Sequence, residues 1–154
     1  MNLVIRRARD ADKSAILALV PRLVSGFTPP PWRDPSDMTP TDLHVIETAL
    51  SSKGEDPAIY VAEQNGILAG FIHLCSLEDY YRRRRHGHVA DIVVAEGHEG
   101  RGIAAALMAK AEEWSRAQGY DWLSLGVFEQ NDRAERLYRK LGFRRDVIRL
   151  LKPL

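Results

Sequence analysis

Apolar and polar residues change period near the middle of the chain. In the first half, "LVIRRA" (3–8) alternates as a strand. Ile16, Leu19, Val20 and Leu23 then recur at helical spacing behind Asp10 or Asp12, either of which can cap the start. "SGFTPPPWRDPSDMTP" (25–40) holds five prolines and a glycine. Proline fixes φ and removes a donor, so this stretch is predicted to be a loop. "TDLHVIETAL" (41–50) returns to helical spacing with Leu43, Ile46 and Leu50. In "AIYVAEQNGILAGFIHLCSL" (58–77) two β-rich runs flank Asn65-Gly66, a pair suited to the left-handed φ values of a tight hairpin turn. "EDYYRRRRHG" (78–87) connects to the strand "HVADIVVA" (88–95), which gives an antiparallel meander over 58–95.

The second half reads differently. Ile103, Leu107, Ala111 and Trp114 mark a helix that ends near Gly119, and "DWLSLGVF" (121–128) is a strand. Ala134, Leu137, Tyr138 and Leu141 mark another helix, closed by Gly142, and "FRRDVIRLLKPL" (143–154) is predicted as a last strand. A strand, a helix and a strand over 88–128 form a crossover unit, whose strands are parallel with the usual right-handed connection. The sheet is therefore mixed, antiparallel first and parallel in the middle. With no repeat, linker or low-complexity segment, residues 1–154 read as one domain.

Composition narrows the function. The formal net charge is +1, so no bulk electrostatic attraction favours nucleic acid or an anionic membrane as partner. The chain is 45% hydrophobic and 28% charged, which is globular, and no apolar run has the length of a membrane span. "MNLVIRRARDAD" lacks the long apolar region of a secretory signal. The single cysteine, Cys75, lies in an apolar strand and reads as a structural thiol. Together these features predict a cytoplasmic protein.

The chemistry concentrates in "VVAEGHEGRGIAAALM" (93–108), an apolar strand that passes through a glycine turn into a helix. Gly100 and Gly102 let the chain turn sharply and let a ligand approach the backbone. The first N–H groups of the helix have no internal partner and, with its dipole, favour an anion. Arg101 can add a charge. A P-loop would need Gly-Lys-Ser/Thr, which is missing. "GRGIAA" fits the dinucleotide pattern G-x-G-x-x-A, but that fingerprint needs an acid at the end of the next strand. Here Asp121 is at its start and Val127-Phe128 close it. An antiparallel meander is also the wrong setting for a doubly wound sheet.

This stretch resembles the pyrophosphate loop of the GCN5-related N-acetyltransferases, the GNAT superfamily, with its Gln/Arg-x-x-Gly-x-Gly/Ala pattern. Gly100 and Gly102 fill the glycine places, whereas Gly97 stands where Gln or Arg is expected. "DIVVA" resembles the family's fourth strand, and "FEQNDRAERLYRKLGF" its second signature, Asn-x-x-Ala-x-x-x-Tyr-x-x-x-Gly-Phe. The resemblance implies an α+β, three-layer acyl-CoA N-acyltransferase fold: a mixed central sheet, helices on both faces, and a splay between strands 4 and 5. It implies acetyl-CoA as co-substrate and no metal. The pantetheine arm would lie along Ile92, Val93 and Val94, and the diphosphate on His98, Glu99, Gly100, Arg101, Gly102, Ile103 and Ala104. Asn131 would bond the pantetheine and Ala134 would give it room. Tyr138 would be the general acid toward the thiolate. Its spacing with Ala134, Leu137 and Leu141 also suits core packing, just as Asn131 also suits a helix N-cap. The nearest candidate for the base is Asp91, with Glu129 and His88 behind it; Asp91 could equally pair with Arg84 or Arg85.

The acceptor groove of this family is built from segments that correspond to 24–40 and 77–86. Phe27, Trp32, Tyr80 and Tyr81 offer aromatic surface there, and Asp34, Asp37, Glu78 and Asp79 negative charge. Arg82–Arg85 read as a solvated hairpin tip. The expected function is transfer of an acetyl group from acetyl-CoA to a primary amine of a small molecule or peptide. The alternative is a non-catalytic acyl-CoA-binding sensor or partner module of the same fold. The final apolar strand offers an edge to a second copy, so a homodimer is compatible with the sequence.

Overall fold

The computed structural model describes residues 2–154. Its elements run β1 (Leu3–Arg7), a 3-10 turn (Asp10–Asp12), α1 (Lys13–Leu19), α2 (Arg22–Ser25), α3 (Pro35–Leu50), β2 (Ala58–Gln64), β3 (Ile67–Glu78), β4 (Arg85–Val94), α4 (Ile103–Ala117), β5 (Leu123–Leu125) and α5 (Asp132–Lys140). The strands form one sheet in the order β1-β2-β3-β4-β5. The first four are antiparallel, and β5 joins β4 in parallel through the α4 crossover. The predicted mixed sheet and the hairpin are present. Asn65 and Gly66 both take positive φ, 52° and 80°, as the tight turn requires.

Each face of the sheet carries its own apolar layer. On one face Ile16, Val20 and Ile46 from the N-terminal helices meet Ile59, Val61, Phe71 and Val93. On the other, Leu107, Met108, Ala111 and Trp114 of α4 and Tyr138 of α5 meet Ile72, Leu74 and Val89. Each fully buried aliphatic of these layers contributes about 1.5–3 kcal/mol.

Three expectations are corrected. First, α3 begins at Pro35, inside the stretch predicted as loop. Asp34 caps it by accepting a hydrogen bond from Ser36 N at 2.8 Å, and Pro35 opens the first turn, where a missing N–H costs nothing. The helix then runs through Pro40, anchored further on by buried Ile46 and Ala49. Second, the helix predicted through Leu23 divides at Pro21 into α1 and α2. Third, residues 143–154 form no strand. Val147 and Ile148 are 80% and 68% exposed, so the parallel pair lies at the sheet edge and not in its middle. With three residues, β5 offers too short a ladder to order a further strand beside it.

Candidate active site

The sheet opens where β4 and β5 part. Their ladder pairs Gly87 with Leu123, His88 with Ser124 and Val89 with Leu125, and then stops, while β4 continues to Val94. On the β3 side His73 faces Asp91 but Leu74 faces Val89, so Ala90 is an extra residue, a β-bulge at the point of parting. The edge of Ile92, Val93 and Val94 is left without a strand partner on that side. Backbone donors and acceptors so placed call for a partner from outside the sheet. Val93 pairs with Phe71 of β3, as Ala95 does with Ala69, so the outward groups are those of Ile92 and Val94, and the Val94 carbonyl accepts from Arg22 Nε at 2.9 Å.

At the end of this edge lies the glycine turn. Gly97, Gly100 and Gly102 all take positive φ, 80°, 72° and 78°. This is the left-handed region that costs other residues about 1–2 kcal/mol. A Cβ at Gly100 or Gly102 would meet nothing within 4 Å, so the inside of the turn is open. Gly102 directly precedes the 15-residue α4, whose first N–H groups point into the turn. The His98 ring and the Arg101 guanidinium instead turn to Gln64 Oε1 on β2, at 3.0 and 3.3 Å, and pin the loop to the sheet. The Glu99 carboxylate is held below the usual range by the backbone N–H groups of Glu99 and Gly97 and by Arg22, 2.6 Å away. These three side chains thus serve the loop's own conformation, and residues 98–104 offer a ligand their backbone.

One cleft of about 520 Å³ joins the parted strands, α5 and the N-terminal helices. Asn131 caps α5 by accepting from Ala134 N at 3.3 Å, and both residues line the cleft. Tyr138 does too, although it is only 9% exposed and packs edge-on against Phe143 at 6.0 Å. The core-packing reading of Tyr138 therefore holds, and the same residue forms part of the cleft wall. Burial pushes its hydroxyl pKa up, so it stays protonated at neutral pH.

The carboxylate side departs from expectation. Asp91 pairs neither with Arg84 nor with Arg85; its Oδ2 accepts from His73 Nδ1 at 2.8 Å, and His73 is 5% exposed. Arg85 instead donates to Ser76, and Arg82 binds Asp121 and covers the Trp122 ring at 3.7 Å. Of the other base candidates, His88 lies 2.8 Å from Ser124 Oγ, with its pKa lowered by burial, and Glu129 is exposed; neither lines the cleft. The residue that sequence reasoning missed is Asp42. It lines the same cleft from α3, and its pKa is pushed up to about 6 by burial and by the charge of Asp91.

The predicted acceptor residues divide. Phe27 and Asp37 line the cleft, and Phe27 stacks on Phe128 at 5.1 Å. Asp34 is spent on the α3 cap. Tyr80 and Tyr81 are 76% and 87% exposed at the hairpin tip, where Asp79 accepts from the backbone of Tyr81 and Arg82, and Glu78 pairs with Arg83. Neither this tip nor Trp32 lines the cleft.

Known proteins agree with this architecture. The profile of the Acetyltransferase (GNAT) family matches residues 22–143. The chain is similar to the streptothricin acetyltransferase of Streptomyces lavendulae, 34% identical over 63% of this chain and 50% of that protein. It is also similar to an uncharacterized N-acetyltransferase of Mycobacterium tuberculosis, 29% identical over 88% of this chain and 83% of that one. The chain spans about half the length of several curated relatives, between 41% and 52%. Among solved structures, the aminoglycoside N-acetyltransferase AAC(6′)-Iy in complex with CoA has a TM-score of 0.78 at 18% identity, over 99% of this chain and 95% of that one. That likeness establishes the fold.

Proposed function

Because this chain belongs to the acetyltransferase (GNAT) family, we propose that it moves an acetyl group from acetyl-CoA directly to a primary amine of a small molecule or peptide. One observation carries the reading: the unpaired edge of β4 runs from a cleft that Tyr138 lines to a turn with three left-handed glycines at the start of α4. The site fits the co-substrate. The open inside of the turn and the free N–H groups of α4 suit a diphosphate held by the backbone of His98, Glu99, Gly100, Arg101, Gly102, Ile103 and Ala104. The edge formed by Ile92, Val93 and Val94 suits the amide-bearing arm, with Asn131 and Ala134 on the opposite wall. Bound there, acetyl-CoA supplies a thioester carbonyl and a thiolate leaving group.

The residues of the chain then do three things. The backbone N–H of Val94, which faces the open edge, polarises the acetyl carbonyl. Asp91, from the carboxylate side of the cleft, receives the amine and helps to remove its proton. Tyr138 gives its hydroxyl proton to the departing sulfur, and its raised pKa keeps that proton in place until needed. The names of the streptothricin and aminoglycoside enzymes support an amine acceptor. No helix of the described residues is long and apolar enough to cross a membrane. A free Cys75 thiol suits the reducing cytoplasm. A homodimer belongs to the same reading, since Val147, Ile148, Leu150 and Leu151 stand exposed.

The test is a panel of amines offered with acetyl-CoA and read by free thiol release. Acetyl-CoA-dependent release with at least one amine is expected. CoA binding with no release from any amine would instead identify an acyl-CoA sensor.

A further inference from the structure

Asp42 and Asp91 reach the cleft from opposite sides, one on α3 and the other on β4. Asp37, Met38, Thr41 and Asp42 all line it, a spacing that lays one face of α3 along the cleft. The two aspartates differ in their surroundings. Asp91 has Oδ2 engaged by His73, which leaves Oδ1 to a ligand. Asp42 has no N–H donor or cation bound to it among the described residues. Neither cation of the cleft bonds to the aspartates: Arg22 is bound to Glu99 and the Val94 carbonyl, and Arg33 lies over the Phe128 ring at 5.6 Å. A negative charge therefore stands uncompensated beside the bulge that ends the β4–β5 ladder. Such a charge is costly to hold alone and favours a cationic ligand.

Resting on the acetyl-transfer reading, we propose that the base is not Asp91 alone but the Asp42–Asp91 pair, which receives the acceptor as an ammonium ion, with Asp42 taking its proton and His73 fixing Asp91. The protonated amine sits between the carboxylates and passes one proton to Asp42. The freed lone pair forms the C–N bond to the acetyl carbon as the C–S bond breaks, and the sulfur takes the Tyr138 proton. The surplus proton left on the nitrogen restores the Tyr138 hydroxyl, and the proton on Asp42 leaves to solvent. Amine and thioester become amide and thiol, with one proton released. The acceptor class is thus an amine that is protonated at neutral pH.

The groups that face Asp42 fit this assignment. Asp91 on β4, Asp37 on α3, Arg22 on α2, Arg33 ahead of α3 and Tyr138 on α5 line the same cleft; His73 holds Asp91 from behind, His88 is bound to Ser124 outside the cleft, and Lys13 of α1 is bound to Glu47. A carboxyl with a pKa of about 6 accepts a proton near neutral pH better than an ordinary aspartate does.

The experiment compares wild type, Asp42→Asn and Asp42→Glu, with 1,4-diaminobutane, glucosamine and glycinamide as probe acceptors. Wild-type kcat/KM is expected to fall as pH drops through about 6, because Asp42 must be ionised to accept a proton. Asp42→Asn is expected to lose about 100-fold in kcat/KM and this acid limb, with calorimetric CoA affinity unchanged, and Asp42→Glu to regain part of the rate. Melting supplies the folding control. The Asp42 pKa is raised on folding, so its stabilising contribution is complete below the ordinary 3.8 and lost as pH rises through about 6. Asp42→Asn should therefore melt no lower than wild type at pH 7. An Asp42→Asn variant with wild-type kcat/KM and the same acid limb would overturn the proposal. So would a wild type that binds CoA and acetylates none of the three amines, although the co-substrate site would then stand. A protein that binds no CoA would overturn the acetyl-transfer reading itself.

Discussion

The ring of Tyr138 belongs to the core beneath α5, yet the residue lines the cleft, so removing the oxygen alone separates packing from chemistry. Tyr138→Phe keeps the buried ring and its contact with Phe143. Turnover is expected to fall about 100-fold, with CoA affinity and melting temperature unchanged. A variant that loses CoA affinity but keeps turnover would refute the acid role. Tyr138 was legible because it stands in a spaced signature with Asn131, Ala134, Gly142 and Phe143. His73 was not, since it lies between Ile72 and Leu74 in an apolar run. Only the β3–β4 register brings it to Asp91. Asp42 was hidden for a related reason: in a helix with an exposed face, a carboxylate looks solvated until tertiary packing turns it toward a cleft.

At the level of elements, the glycine turn was readable from Gly100 and Gly102 before an apolar helix, whereas the diphosphate reading came from the family resemblance. Its geometry carries a specific expectation. Gly102→Glu forces a side chain onto a φ of +78° and projects a carboxylate from the start of α4. The strain is about 1–2 kcal/mol, small against a typical domain stability of 5–15 kcal/mol. Circular dichroism should show an intact fold while calorimetry shows no CoA binding; unchanged affinity would remove the proposed cradle. The bulge at Ala90 could not be read, since one extra residue in a strand leaves no mark on an apolar run. The α3 start was misjudged by counting prolines and overlooking that Asp34 and Pro35 together form a helix entry.

Across the whole molecule, the sequence order of strands and helices was enough to give a mixed sheet, because a meander followed by a crossover has few other solutions, while helices on both faces were implied by the resemblance. It was not enough for the last segment. Whether residues 143–154 pair depends on an available edge, and the three-residue β5 provides little of one. The cleft combines both halves: the first contributes α2, α3 and the carboxylates of Asp37 and Asp42, the second Asn131, Ala134 and Tyr138, and β4 lies between them. The claim on which the rest depends is that backbone amides at the start of α4 hold the diphosphate of CoA. Titrating CoA into ¹⁵N-labelled protein tests it most directly. The amide signals of Gly100, Arg101, Gly102, Ile103 and Ala104 are expected to move together and saturate with those of Ile92 and Val94; amides that stay still while CoA binds elsewhere would contradict it.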